Sequence, residues 1–189
     1  MITAEQFTSI LGKTLSYEGQ DLNKKETGGG GVSRYGITQD TYNNYLKNSG
    51  RQMQSVDNIT PQEVHNIYYN DYFLKHNLQN LPPKISAATF DFGVNSGPSR
   101  AIKDLQQTIG TTPDGIIGPK TLQAVNTYVS QKGEDGLLQN LIDRRREYVN
   151  EITTTNPKLV DKRAGLLNRV TRFENDYLPS NNGIRNLKE

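Results

Sequence analysis

The sequence SYEGQDLNKKETGGGGVSRYGIT, residues 16–38, joins the end of an apolar helical pattern to a run of four glycines and then to Arg-Tyr-Gly-Ile-Thr. Glu18 falls where the helical pattern ends, and the glycine run that follows is expected to form a loop. A carboxyl group on a fixed helical stem beside an adaptable loop is the arrangement that a general acid needs, because the stem holds the proton while substrate enters. The segment therefore predicts a catalytic acid at Glu18. The competing interpretation is an ordinary residue at a helix end, although the helix dipole disfavours a carboxylate there.

Composition excludes several other kinds of chemistry. The 189 residues include no cysteine, which rules out a disulfide scaffold, thiolate metal ligands and a cysteine nucleophile. Lys and Arg number 22 against 20 for Asp and Glu, so the net charge of +2 is only mildly favourable for an anionic polymer and identifies none. No apolar run approaches the roughly 20 residues of a membrane span, so no membrane insertion is expected.

The hydrophobic pattern is that of helices. Apolar residues recur every three or four positions after a Thr3 cap, and further helices are predicted from Thr38, Thr60-Pro61, Lys84, Ser99, Pro119, Gly136 and Lys158. The pattern predicts a mostly α fold with a short hairpin or loop after the first helix. We divide the chain into an N-terminal lobe of residues 1–84, a C-terminal helical lobe of residues 85–178 and a tail of residues 179–189.

Other motifs carry weaker signals. The glycine run is followed by Val32-Ser33-Arg34 rather than by Lys and Ser or Thr, so it is not a nucleotide loop. His65 and His76 lack the neighbouring ligands of a metal site, and neither metal, cofactor nor nucleic acid is expected. The segment from Asp114 to Thr121 is interpreted as a turn that packs Ile116 and Ile117, with a sugar site as the alternative. Arg144-Arg145-Arg146 is typical of a solvated helix face, with cell-wall contact as the alternative.

Several of these motifs, taken in order, resemble those of one known family. Glu18-Gly19, the glycines, Ser33-Arg34-Tyr35-Gly36-Ile37-Thr38 and then Phe90-Asp91-Phe92-Gly93-Val94-Asn95-Ser96-Gly97 resemble glycoside hydrolase family 108, the lysozyme-like muramidases of phages and bacteria. The second half, with Leu105-Gln106-Gln107, Asp114 to Thr121 and Gly165 to Val170, resembles the peptidoglycan-binding region of that family. The resemblance covers residues 4 to 178 and implies a lysozyme-like helical fold with a catalytic N-terminal lobe.

The resemblance also implies roles for single residues. Glu18 is then the proton donor to the glycosidic oxygen between N-acetylmuramic acid and N-acetylglucosamine. The family usually has an aspartate before the glycines and a threonine before the aromatic residue, where this chain has Glu26 and Ser33. Ser33 keeps a hydroxyl for the attacking water, and the second carboxylate is Glu26, Asp21 or none of the local acids.

Three further residues are candidates for substrate contact. Tyr35 is a candidate for stacking on a sugar ring, or alternatively a core residue. Asp91 and Asn95 lie four apart on a helix and could contact sugar hydroxyls and N-acetyl groups, since an amide supplies donors and an acceptor in one plane. Their structural alternatives are a buried partner for a basic residue and a helix terminator.

With this resemblance we expect a peptidoglycan hydrolase, an endolysin or muramidase that acts on glycan strands, and we expect it to be a monomer. The alternatives are a lytic transglycosylase and a non-catalytic module that binds the wall or assists secretion. The N-terminus has no secretory signal pattern, so we expect synthesis in the cytoplasm and action on the cell wall after release.

Overall fold

The computed structural model describes residues 1–17 and 33–178. Helices dominate these residues, which confirms the predicted fold class. The chain forms two compact units, an N-terminal unit of Ile2–Gln79 and a C-terminal unit from Asn80 onward that also includes Met1. The predicted boundary after residue 84 falls inside a helix, Pro83–Ser96. The predicted tail, residues 179–189, lies outside the described residues.

The N-terminal unit begins with helix α1, Ala4–Tyr17. Two reciprocal hydrogen bonds cap the start of this helix. The Gln6 N–H donates to the Thr3 hydroxyl at 3.2 Å, and the Thr3 N–H donates to the Gln6 side-chain oxygen at 2.9 Å. Buried side chains recur at threes and fours along one face, as the sequence predicts. They are Phe7, Ile10, Leu11, Thr14 and Tyr17.

A two-stranded antiparallel hairpin follows, with β1 at Ser33–Arg34 and β2 at Ile37–Thr38. Helix α2, Gln39–Asn48, starts directly after β2, because the Thr38 hydroxyl accepts the N–H of Thr41. The hairpin and α2 are therefore one continuous structural element. A short 3-10 turn, Val56–Asn58, leads to the next helix.

Helix α3, Pro61–Ile67, opens with a capping box between Thr60 and Glu63 and then widens into a π-helical turn at Tyr68–Phe73. The sequence predicts an unbroken α-helix here. A π turn rotates each residue less than an α turn does, so it brings side chains five apart closer to one face. Tyr68 and Phe73, five apart, are both almost fully buried. Two further 3-10 turns, Leu74–His76 and Leu78–Asn80, complete this region.

The C-terminal unit contains helices α4, Pro83–Ser96, α5, Pro98–Thr108, α6, Pro119–Thr155, and α7, Arg163–Tyr177. Gly133 interrupts α6 with a φ of 76° and a ψ of 161°, so the element consists of two segments, as the sequence predicts. The helix predicted from Lys158 starts later, because Pro157–Lys162 forms a 3-10 turn.

Candidate functional site

The predicted catalytic acid directly follows the last residue of α1. That residue, Tyr17, is buried, so the helix end is anchored in the N-terminal unit up to the residue before Glu18. Glu18, Glu26 and the alternative Asp21 lie outside the described residues. The structure thus describes both elements that flank this segment, the end of α1 and the hairpin.

The hairpin turn has an uncommon backbone conformation. Tyr35 and Gly36 both have positive φ, 55° and 74°, which is the combination found in tight two-residue hairpin turns. In this register Ser33 pairs with Thr38 and Arg34 pairs with Ile37. Ser33 is half-buried and lies opposite the residue that caps α2. Its backbone position is therefore fixed by a strand pair and a helix start.

Tyr68, in the π turn, forms a hydrogen bond with this hairpin. Its hydroxyl donates to the carbonyl oxygen of Tyr35 at 2.8 Å. A Cβ placed on Gly36 would lie 2.8 Å from the same hydroxyl, so any other residue at this position would displace the Tyr68 hydroxyl or the turn. Arg34 adds a second attachment by donating to the carbonyl oxygen of Asp57. The turn is consequently held at a defined place on the unit.

We expect Gly36→Ala to destabilise the N-terminal unit by about 2–3 kcal/mol, because it adds left-handed strain and displaces the hydroxyl of buried Tyr68. Gly50→Ala separates the two causes, since Gly50 has a φ of +65° but nothing within 4 Å of an added Cβ. Gly12→Ala, in open space within α1, should instead stabilise by about 0.5–1 kcal/mol. Urea unfolding measures all three, and equal costs for Gly36→Ala and Gly50→Ala would contradict the contact.

Tyr35 is half-buried, and the guanidinium of Arg34 lies 5.3 Å from the centre of its ring. A tyrosine with this exposure in a fixed turn has surface to offer to a sugar ring, and it is not a fully buried core residue. Stacking on substrate stays a prediction for Tyr35. Tyr35 follows Ser33 by two residues, and both belong to the hairpin, so these two predicted site residues share one element.

The buried acids elsewhere in the described residues already have hydrogen-bond or ion-pair partners. In the N-terminal unit this acid is Glu63. Tyr42 donates to both carboxylate oxygens at 3.1 Å, Arg51 lies 2.5 Å away, and the Thr60 N–H donates at 2.7 Å. Burial alone would raise the pKa of Glu63, but these hydrogen bonds outweigh it and hold the pKa below its usual value. Glu63 is therefore an ionised structural acceptor and a poor proton donor.

Asp91 is the centre of a buried ion cluster in the C-terminal unit. Its side chain has no exposed surface, and it pairs with Arg145 at 2.5 Å and with Arg169 at 2.8 Å. Arg169 donates through two nitrogens, one to each carboxylate oxygen. The direct substrate contact predicted for Asp91 does not fit this geometry, because no face of the carboxylate is open to a ligand. The structural alternative, a buried partner for a basic residue, describes it.

Asn95 lies four residues further along α4 and is exposed. Helix α4 continues past it to Ser96 and ends at Gly97, whose φ is 89°. Asn95 therefore does not terminate the helix, and its side chain is accessible. Contact with substrate stays a prediction for Asn95, whereas its helix neighbour Asp91 is closed off.

Arg145 is the residue that the sequence interpretation missed. The sequence predicts a solvated face for Arg145 together with Arg144 and Arg146, but Arg145 is 5% exposed and pairs with Asp91. The signal was its spacing, because it falls on the apolar face of the helix. Buried residues on the same face are Leu138, Ile142, Val149 and Thr153.

The turn between α5 and α6 is organised by buried Gln106. Its side-chain amide donates to Asp114 at 2.6 Å and to the Ile116 carbonyl oxygen at 3.0 Å, and its oxygen accepts the Gly115 N–H at 2.8 Å. This supports the structural interpretation of the segment. The expectation that Ile116 packs inside is wrong: Ile117 is 2% exposed, but Ile116 is 65% exposed.

Asp104 on α5 is the third buried acid. Burial raises its pKa, although Arg100 at 3.2 Å and Arg144 at 3.9 Å act to lower it. It lines a crevice of about 20 Å³, which is room for about one water molecule. The Asp104 side chain is 6% exposed, which leaves too little surface for contact with a glycan strand.

No group of three or more residues able to hold a metal ion occurs among residues 1–17 and 33–178. Within the same ranges, no helix combines the length and the apolar character of a membrane span.

Known proteins resemble the chain in two successive stretches. Residues 11–97 match the model of the family described as Glycosyl hydrolase 108, and residues 100–174 match that described as Predicted Peptidoglycan domain. The solved structure of Brucella abortus SagA is 26% identical, with a TM-score of 0.59 over 88% of this chain and 98% of that chain. None of the curated proteins matches the chain.

Proposed function

We propose that the protein is a muramidase with Glu18 as its general acid. Residues 11–97 match the model of the glycosyl hydrolase 108 family and residues 100–174 match that of a peptidoglycan domain, which together support a peptidoglycan hydrolase. The bond is the β-1,4 link between N-acetylmuramic acid and N-acetylglucosamine. The protein would act on the glycan strands of the cell wall.

The observation that carries this proposal is that the buried carboxylates of the described residues are not available as proton donors. Glu63, Asp91 and Asp104, the carboxylates buried within the described part of the chain, are bound by arginines or closed off from a polymer. A general acid needs a proton to give and access to the substrate. Glu18 follows an anchored helix end and lies in the segment that leads to the fixed hairpin, which makes it the best candidate.

The proposed reaction starts when the Glu18 carboxyl donates its proton to the glycosidic oxygen as the bond to the anomeric carbon breaks. Charge develops at that carbon as in an oxocarbenium ion, and a water molecule adds to it while losing one proton. The Ser33 hydroxyl, held at the edge of the hairpin, would orient this water. Glu26, or else Asp21, would accept the proton that the water loses.

We favour the inverting route over the retaining one. An inverting pair of carboxyl groups stands roughly 6.5–9.5 Å apart to leave room for water, whereas a retaining nucleophile sits closer to the acid. A hydroxyl such as that of Ser33 can position water but does not serve as this nucleophile. The inverting route therefore fits the Ser33 hydroxyl, which is the polar group that the hairpin supplies.

Product analysis on purified peptidoglycan sacculi tests the proposal. We expect soluble fragments that end in reducing N-acetylmuramic acid, with the anomer of opposite configuration formed first. Products lighter by one water would instead identify a lytic transglycosylase, which uses one glutamate and no water. Sacculi that bind the protein but release no fragments would identify a non-catalytic wall-binding module.

A further inference from the structure

The C-terminal unit has an open groove on the first segment of α6, between Pro119 and the interruption at Gly133. The groove has a volume of about 310 Å³, which is at the lower end of the range for small-ligand sites. Ile109, at the end of α5, lines it together with α6. The polar residues of its wall are Lys120, Gln123, Thr127, Tyr128 and Gln131.

The polar groups follow the helix in a regular row. Gln123, Thr127 and Gln131 are each four residues apart, so they share one face and succeed one another at about 6 Å intervals. All three are exposed. Each glutamine amide offers two donors and one acceptor in a plane, and the threonine hydroxyl offers both functions. Such a row matches a polymer that repeats hydroxyl and amide groups.

Tyr128 supplies an aromatic side chain that is fixed in advance. Asn140, in the second segment of α6, donates to the Tyr128 hydroxyl at 2.5 Å, so the hydrogen bond spans the interruption at Gly133. The ammonium group of Lys132 lies 5.2 Å from the ring centre on one side. A ring held in this way loses little conformational entropy when a ligand packs against it.

The charge of the wall narrows the class of ligand. Lys120 is the charged residue of the groove lining, and the described lining contains no carboxylate. Lys120 in the lining and Lys132 beside the Tyr128 ring suit a ligand with scattered carboxylates and are too few for a nucleic acid, which is bound through several phosphate contacts. N-acetylated sugars with an occasional carboxylate meet both conditions.

We propose that this groove binds an N-acetylated glycan strand of peptidoglycan. The choice of this polymer rests on the proposed function, and the groove would hold a strand at a place distinct from the residues assigned to catalysis.

Binding of the full-length protein to purified sacculi tests the groove. It is measured in a Glu18→Gln background, in which we expect strand cleavage to be slow. The double variant Gln123→Ala/Gln131→Ala removes two exposed amides and should weaken binding by about tenfold or more. Asn126→Ala is the matched control, because Asn126 is an exposed amide on the same segment outside the groove. It should bind like the parent protein.

Equal binding by the double variant and the control would overturn the proposal. Glycan strands freed of their peptides should compete for the parent protein and much less for the double variant. Competition by the free peptides alone would also overturn it, since the groove would then recognise the peptide stem. Because the readout is binding, a protein that cuts no glycan could still pass this test, so failure of the catalytic proposal is distinguishable.

Discussion

Replacing Asp91 by alanine is expected to destabilise the C-terminal unit by about 3–5 kcal/mol, the range found when one partner of a buried ion pair is removed. Asp91 has no exposed surface and is the carboxylate between Arg145 and Arg169. Without it, two guanidinium groups on α6 and α7 remain in a region of low dielectric. Asp91→Asn keeps the shape but not the charge, so it should recover only a small part of the loss.

Asp143→Ala is the matched control for this prediction. Asp143 also pairs with an arginine of α6, Arg146 at 3.4 Å, but its side chain is 53% exposed. Pairs of this kind contribute about 0–1 kcal/mol, so the control should cost little. Urea unfolding of both variants gives the comparison. Similar costs for Asp91→Ala and Asp143→Ala would contradict a structural role, as would an Asp91 variant that is stable but no longer binds peptidoglycan.

The ion cluster also predicts a dependence on pH. Burial would raise the pKa of Asp91, but the two arginines outweigh it and hold the pKa below its usual value. A carboxyl with a depressed pKa stabilises the folded state above its unfolded value, near pH 4, and this contribution is lost as the pH falls through the folded value. The free energy of unfolding should therefore fall less steeply below pH 4 in Asp91→Asn than in the parent protein.

Local chemistry accounts for the parts of the fold that the sequence predicts well. Thr3, Thr38 and Thr60 each begin a helix because a threonine hydroxyl accepts a free N–H of the first turn, and this needs only nearby residues. The interruption of α6 at Gly133 follows in the same way, since glycine adopts its conformation without strain. Such features are determined within a few positions of the chain.

Features set by distant contacts could not be predicted in this way. Arg145 pairs with a residue 54 positions away, so a run of three arginines looks like a solvated face until α4 is placed beside it. Asp91 is a candidate for substrate contact in the sequence for the same reason, since its partners lie 54 and 78 positions away. The hydrogen bond from the Tyr68 hydroxyl to the Tyr35 carbonyl oxygen likewise joins residues 33 positions apart. For the candidate site, the sequence predicts the acid, Glu18, and the hairpin, and the structure adds how the hairpin is held.

Glu18→Gln is expected to lower the rate of peptidoglycan cleavage by roughly 10²–10⁴-fold, which is the usual contribution of a positioned general acid. Glutamine has almost the same shape as glutamic acid but gives no proton to the leaving oxygen. The variant should therefore bind purified sacculi as tightly as the parent protein while releasing few reducing ends. Binding and release are measured on the same sacculi, so the two effects separate cleanly.

Glu5→Gln is the matched control, because Glu5 is an exposed glutamate in the first turn of α1, the helix that ends at Tyr17. It should leave both measurements unchanged.

Among the candidates for the second group, Glu26→Gln should slow cleavage more than Asp21→Asn if Glu26 accepts the proton of the water, and Ser33→Ala should reduce the rate less than Glu18→Gln does. A Glu18→Gln variant that keeps more than about a tenth of the parent rate would contradict the assignment, since the loss of a catalytic proton donor costs more than that.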